Sequence, residues 1–177
     1  MKSALKCVRS YSKCLKMFPK QMLTIFYNGL RKEVSSRCSS GTARQTFFEQ
    51  FRKLSPIKSQ LDASMHKLAN FFNYATKSLK TDEQVENICC GYTVGVNSLL
   101  NKIKSTIKSK KLTDYVKQRI SNLFGESVDF MCSQYTSVSV CQSRYPQAVS
   151  AFEQSSDRFE GFGILKPLMK FAHNFAN

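Results

Sequence analysis

The stretch "VENICCGYTVGVNSLLNKIKSTI", residues 85–107, decides the fold. Its middle, Ile88 to Val96, is rich in residues that tolerate a strand. It also carries two adjacent cysteines, with glycines following at 91 and 95. Yet Val85, Ile88, Tyr92, Val96, Leu99, Ile103 and Ile107 recur at the three- and four-residue spacing of one helix face, and the period runs through the cysteines unbroken. The stretch therefore reads as a helix. On it Cys89 and Cys90 point about 100° apart. They cannot bond each other without distorting the helix, so they face two different neighbours. Gly91 and Gly95 leave room beside the same helix for a second helix or for a groove. With Tyr92 between them they form the candidate ligand groove.

Outward from this centre the apolar spacing stays helical. Ile57, Leu61, Met65, Leu68, Phe72, Ala75 and Leu79 form a stripe of about six turns. Ala4, Val8, Tyr11, Leu15 and Phe18 form another, and Met22, Phe26, Leu30 and Val34 follow it. Phe47, Phe51 and Leu54 mark a shorter helix. After residue 107 come Val116, Ile120 and Leu123, with Gly125 as a stop, then Val128, Met131 and Tyr135. Val149 with Phe152, and Leu168, Ala172 with Phe175, complete the set. Pro19, Pro56, Pro146 and Pro167 each stand at or near a helix start, where the missing N–H is no loss. Ser55 before Pro56 reads as an N-cap, and Thr81 with Gln84 as a capping box. "YTSVSVCQ", residues 135–142, alternates in a way that also suits a short strand. The expectation is all-α: one domain over residues 1–177, a bundle of about seven or eight amphipathic helices cross-linked by disulfides. Each helix is expected to show solvent its other face.

Composition agrees. Hydrophobic residues make up 42% and aromatics 12%, which are globular values. The 7 Gly and 4 Pro are too few for a turn-dense sandwich or barrel. No apolar run reaches the roughly 18 residues of a membrane span. "MKSALKCVRSYSK" carries charge where a secretion leader would carry its apolar core. The net charge of +15 is concentrated in residues 1–60, at +11, and residues 102–119, at +6. Such a bias favours anionic partners and says nothing about fold.

Cys7, Cys14, Cys38, Cys89, Cys90, Cys132 and Cys141 are the disulfide candidates. They contain no C-x-x-C, and both histidines, His66 and His173, lie far from them in sequence, so no metal site is expected. Folding the first two helices back around Phe18–Pro19 leaves Cys38 closer to Cys7 than to Cys14, which makes Cys7–Cys38 the expected pair there. Cys132 and Cys141 either close a loop on each other or each reach another helix. Seven is odd, so one thiol is left free or bridges to a second molecule.

One segment carries a resemblance. "CLKMFPKQMLTIFYNGLRKEVSSRC", residues 14–38, joins a Cys-x-x-x-Phe-Pro-Lys-Gln opening to a basic helix ending in Cys; the Cys-Cys pair and "FMCSQYTSVSVC" follow downstream. This resembles a group of secreted, cysteine-containing, all-helical arthropod proteins. The resemblance implies an extracellular location, disulfides and no catalytic site. It supplies neither a ligand nor a pairing pattern.

Function is expected to be binding rather than catalysis. No histidine is placed to activate a cysteine, no phosphate-cradling glycine loop is present, and no cofactor is implied. Lys102, Lys104, Lys108, Lys110, Lys111, Lys117 and Arg119 form the patch for an anionic partner. Nucleic acid is not the partner expected, because the patch is dominated by lysine, with Arg119 its single arginine, whereas bidentate base contacts use arginine. The leading expectation is a secreted carrier of an apolar or amphipathic anionic, lipid-like ligand, which needs an interior of about 300 Å³ or more. The alternative is an extracellular structural or interaction protein that presses its basic faces on anionic membranes, polysaccharides or other acidic macromolecules. In that version the odd thiol can also join a homodimer.

Overall fold

The central stretch is one helix. The computed structural model describes residues 10, 13–15, 17–39, 41–160 and 163–174, and all its regular elements are helical. They are α1 (Met17–Ser39), α2 (Gly41–Leu54), a 3₁₀ turn (Ser55–Ile57), α3 (Lys58–Ser78), α4 (Thr81–Ile107), α5 (Lys110–Cys132), α6 (Val138–Arg144), α7 (Pro146–Gln154) and α8 (Leu165–Asn174). The stripe from Ala4 to Tyr11 lies outside the described residues, and Leu15 sits in a turn before α1. The prolines do mark starts. Pro19 and Pro167 are third residues of α1 and α8, Pro56 lies in the 3₁₀ turn, and Pro146 opens α7.

Helix α4 is the axis of the bundle. It packs against α3, α5, α6 and α7, and from Asn87 to Val94 almost every side chain is buried except Tyr92 and Thr93, which are half-buried. The expected solvent face is lost only in this window, where neighbours close round the helix, and returns at Asn97, Ser98, Asn101 and Lys104. Leu68, Phe71, Phe72 and Ala75 of α3 join Ile88, Cys90 and Val94 of α4, Val149 and Phe152 of α7 and Phe171 of α8 in the main core. A smaller cluster of Ile57, Leu99, Ile103 and Leu112 closes the far end. Polar side chains fasten what the core leaves open. Asn70 donates to the carbonyls of Ser156 and Arg158, both at 2.9 Å. Asn174 donates to Thr76 O at 3.2 Å and to Gln84 Oε1 at 3.1 Å.

Four local expectations are corrected. Gly125 does not stop a helix: α5 runs through it to Cys132, since one glycine costs only about 1 kcal/mol and packing along α1 and α4 outweighs it. Residues 138–144 form helix, not strand, capped by Ser137, whose Oγ accepts from Val140 N at 3.2 Å. Ser55 is not a cap; it lies inside the 3₁₀ turn, before Ile57 at the N-cap of α3. Thr81 is the first residue of α4 rather than its cap, and Gln84 reaches back to Leu79 O at 3.0 Å.

Candidate functional site

The adjacent cysteines face different neighbours. Cys89 bonds Cys132 at the end of α5, and Cys90 bonds Cys141 in α6. Cys132 and Cys141 therefore each reach α4 and do not close a loop on each other. Cys14 is a free, exposed thiol. The expected Cys7–Cys38 pair lies outside the described residues, because Cys7 and the Cys38 side chain are not described. Two disulfides fit an oxidising compartment. No helix among the described residues is long and apolar enough to cross a membrane.

The glycines of α4 serve close packing. A Cβ at Gly91 would lie 2.0 Å from the Phe71 ring, and one at Gly95 would meet Leu68 and Phe152 at 3.1 and 3.3 Å. Side chains of α3 and α7 fill the space beside both. Of the three candidate groove residues, Tyr92 alone lines a cavity.

That cavity lies where α1, α3, α4, α5 and α8 meet. Its wall is almost wholly apolar, with Met22 and Phe26 from α1, Tyr92 from α4, Phe124 and Met131 from α5 and Met169 from α8 among its residues. It encloses about 70 Å³. This exceeds the roughly 10–15 Å³ that a water needs and falls well short of the interior expected for lipid carriage. Burial, and secondarily the charge of Asp129, push the Tyr92 phenol up to about 12. No local pattern foretells this cavity. Its wall comes from segments some 150 residues apart in the chain (Met22 to Met169) that only the fold assembles.

The cationic patch gathers around the α4–α5 turn. Lys104, Lys108, Lys110, Lys111 and Lys117 are exposed, and Lys102 is half-buried. Lys108 caps α4 in the left-handed conformation, at φ 53°. Lys110 and Lys111 occupy the first turn of α5, which holds no carboxylate. Cations there oppose the helix dipole, at about 0.3–1 kcal/mol each. Among the described residues, none of these lysines has an ion pair within 4.0 Å.

Arg119 does not belong to the patch. Its Nη1 donates to both carboxylate oxygens of Glu33 on α1, at 3.1 and 3.2 Å. Glu33 is 2% exposed and also accepts from Arg37 at 2.8 Å and Asn122 at 2.6 Å. A buried carboxylate needs such partners, so Arg119 is consumed in fastening α1 to α5. Gly29 helps, since a Cβ there would lie 2.6 Å from Asn122 O. The spacing within the 102–119 segment held no sign of this contact, because the partner carboxylate lies 86 residues away.

Comparison with family models, with curated proteins and with solved structures finds no match to this chain.

Proposed function

We propose that this chain is a secreted, non-catalytic interaction protein that engages a polyanionic surface through the lysines of the α4–α5 turn. The observation that carries this reading is the placement of Lys110 and Lys111. They stand in the first turn of α5, exposed and, among the described residues, in no ion pair within 4.0 Å, where the helix dipole disfavours cations. The Glu49 carboxylate, held by Lys53, feels Lys111 only as a minor charge. An external sulfate or phosphate surface would turn that unfavourable arrangement into a favourable one. It would meet both the lysines and the positive end of the helix. The apolar cavity of about 70 Å³ supports carriage of a whole lipid, the leading expectation from sequence, less than it supports a surface role. The test is retention on immobilised heparin across a salt series. Replacing Lys104, Lys108, Lys110 and Lys111 together with Ala should lower the eluting salt concentration markedly. Retention that is unchanged at about 1 M salt, or unchanged in the variant, overturns the reading.

A second reading rests on the apolar cavity. A small uncharged molecule, or the hydrocarbon end of an amphipathic anion, would fit its apolar wall. Three methionines in that wall can shift to admit it. Native mass spectrometry of protein from its natural source, together with a thermal-shift series using short fatty acids, tests this. No retained apolar molecule and no shift would exclude it. Exposed Cys14 supports the covalent-dimer version of the interaction reading, which non-reducing electrophoresis checks; a wholly monomeric band removes it.

A further inference from the structure

Among the described residues, helix α2 presents a face that the bundle does not cover. Sequence spacing suggested a buried stripe of Phe47, Phe51 and Leu54, but the helix is turned otherwise. Gln50 is the buried residue, at 1% exposure, while Phe48 and Phe51 are 51% and 55% exposed. The close neighbours of α2 are α1 and the 3₁₀ turn. Phe47 stacks on Phe51 at 5.8 Å and meets Phe48 at 5.6 Å, so the exposed rings belong to one aromatic cluster. At 100° per residue, Arg44, Phe48, Phe51 and Arg52 fall within an arc of about 100°. The Arg44 guanidinium sits 5.8 Å over the Phe48 ring. The only carboxylate of this helix, Glu49, falls off that arc and is held by Lys53 at 2.6 Å.

We infer that the Phe48–Phe51 face of α2 docks on the interface of an anionic lipid bilayer, the rings entering the acyl boundary and Arg44 and Arg52 meeting lipid phosphates. This rests on the polyanion reading and narrows it. Sulfated polysaccharide accounts for exposed lysines but gives two half-exposed rings nothing to enter, whereas a bilayer interface takes aromatic rings and cations together. Excess positive charge over the whole chain, at +15, suits an anionic leaflet rather than a neutral one.

The experiment uses the full chain with two vesicle types: phosphatidylcholine alone, and phosphatidylcholine with phosphatidylserine at about three to one. Sedimentation should recover the protein with the anionic vesicles only. Phe48→Ser with Phe51→Ser should weaken that binding roughly tenfold or more, while heparin retention and the thermal transition stay as in the parent. The chain contains no Trp, so Phe48→Trp makes a single fluorescent reporter whose emission should shift to the blue on anionic vesicles. Heparin retention without vesicle binding overturns the inference and leaves the polyanion reading standing; loss of both overturns both. Unshifted Trp emission, or full vesicle binding by the double Ser variant, also overturns it. So does a self-association that the double Ser variant abolishes, because a second copy would then be what covers the face.

Discussion

Lys108 shows how one residue can be held against its own preference. A non-glycine side chain in the left-handed region is strained, and helix ends there are usually glycine. Here a lysine occupies the position, at φ 53° and exposed, in the middle of the cationic turn. Lys108→Gly is expected to raise stability by about 0.5–1 kcal/mol while weakening retention on heparin, a pairing that calorimetry and salt elution can read side by side. Tyr92 offers a second residue-scale test. Its folded pKa is raised to about 12 from the ordinary 10, so the native state keeps a proton that the unfolded chain gives up. Its contribution is intact below about pH 10 and is lost as pH rises toward 12. Tyr92→Phe should therefore flatten the alkaline fall in stability by about 1–3 kcal/mol, measured by denaturant titration at pH 9 and pH 11. These settings were not legible in sequence. The left-handed cap and the buried phenol both depend on where neighbouring helices stop.

Among the elements, α4 was legible almost to its ends because its apolar period is long and unbroken. Both of its glycines could be read as sites of close approach. Gly125 could not be told from a stop signal, because a terminating glycine and an interior one look alike until the helix either continues into packed neighbours or does not. Substitution separates the two kinds. Gly91→Ala drives a methyl group into the wholly buried Phe71 ring and should cost about 1–3 kcal/mol. Gly125→Ala meets only the Ser121 side chain, at 3.0 Å from Oγ, which can rotate away. It should stabilise the protein by up to about 1 kcal/mol. Thermal unfolding of the two variants, shifted in opposite directions, is the check. Helix α2 was misread for a different reason. Periodicity places Phe47, Phe51 and Leu54 near one another, but it does not say which arc faces the bundle. Burial of Gln50 turned the rings outward.

At the scale of the molecule, both disulfides start from one rung of α4, and that makes their contributions to stability interdependent. The Cys89–Cys132 bond spans 43 residues and the Cys90–Cys141 bond spans 51. Either alone restricts the unfolded chain by about 4 kcal/mol. Once one is closed, the other completes a ring of only about ten residues and adds about 3 kcal/mol. Removing either pair by Ser substitution should cost about 3 kcal/mol, and removing both about 7, so the double loss exceeds the sum of the singles. Denaturant titration of the three variants measures this. The all-helical class and the outward divergence of Cys89 and Cys90 were legible in sequence, whereas their partners depended on how α5 and α6 return to α4. The shared rung also governs what a protease could accomplish. A cut in the segment 133–137, between α5 and α6, would leave Cys132 on one fragment and Cys141 on the other, and both would remain hooked to α4. The nicked chain would migrate as one species without reductant and as two with it, so severing this connection would not by itself release either half.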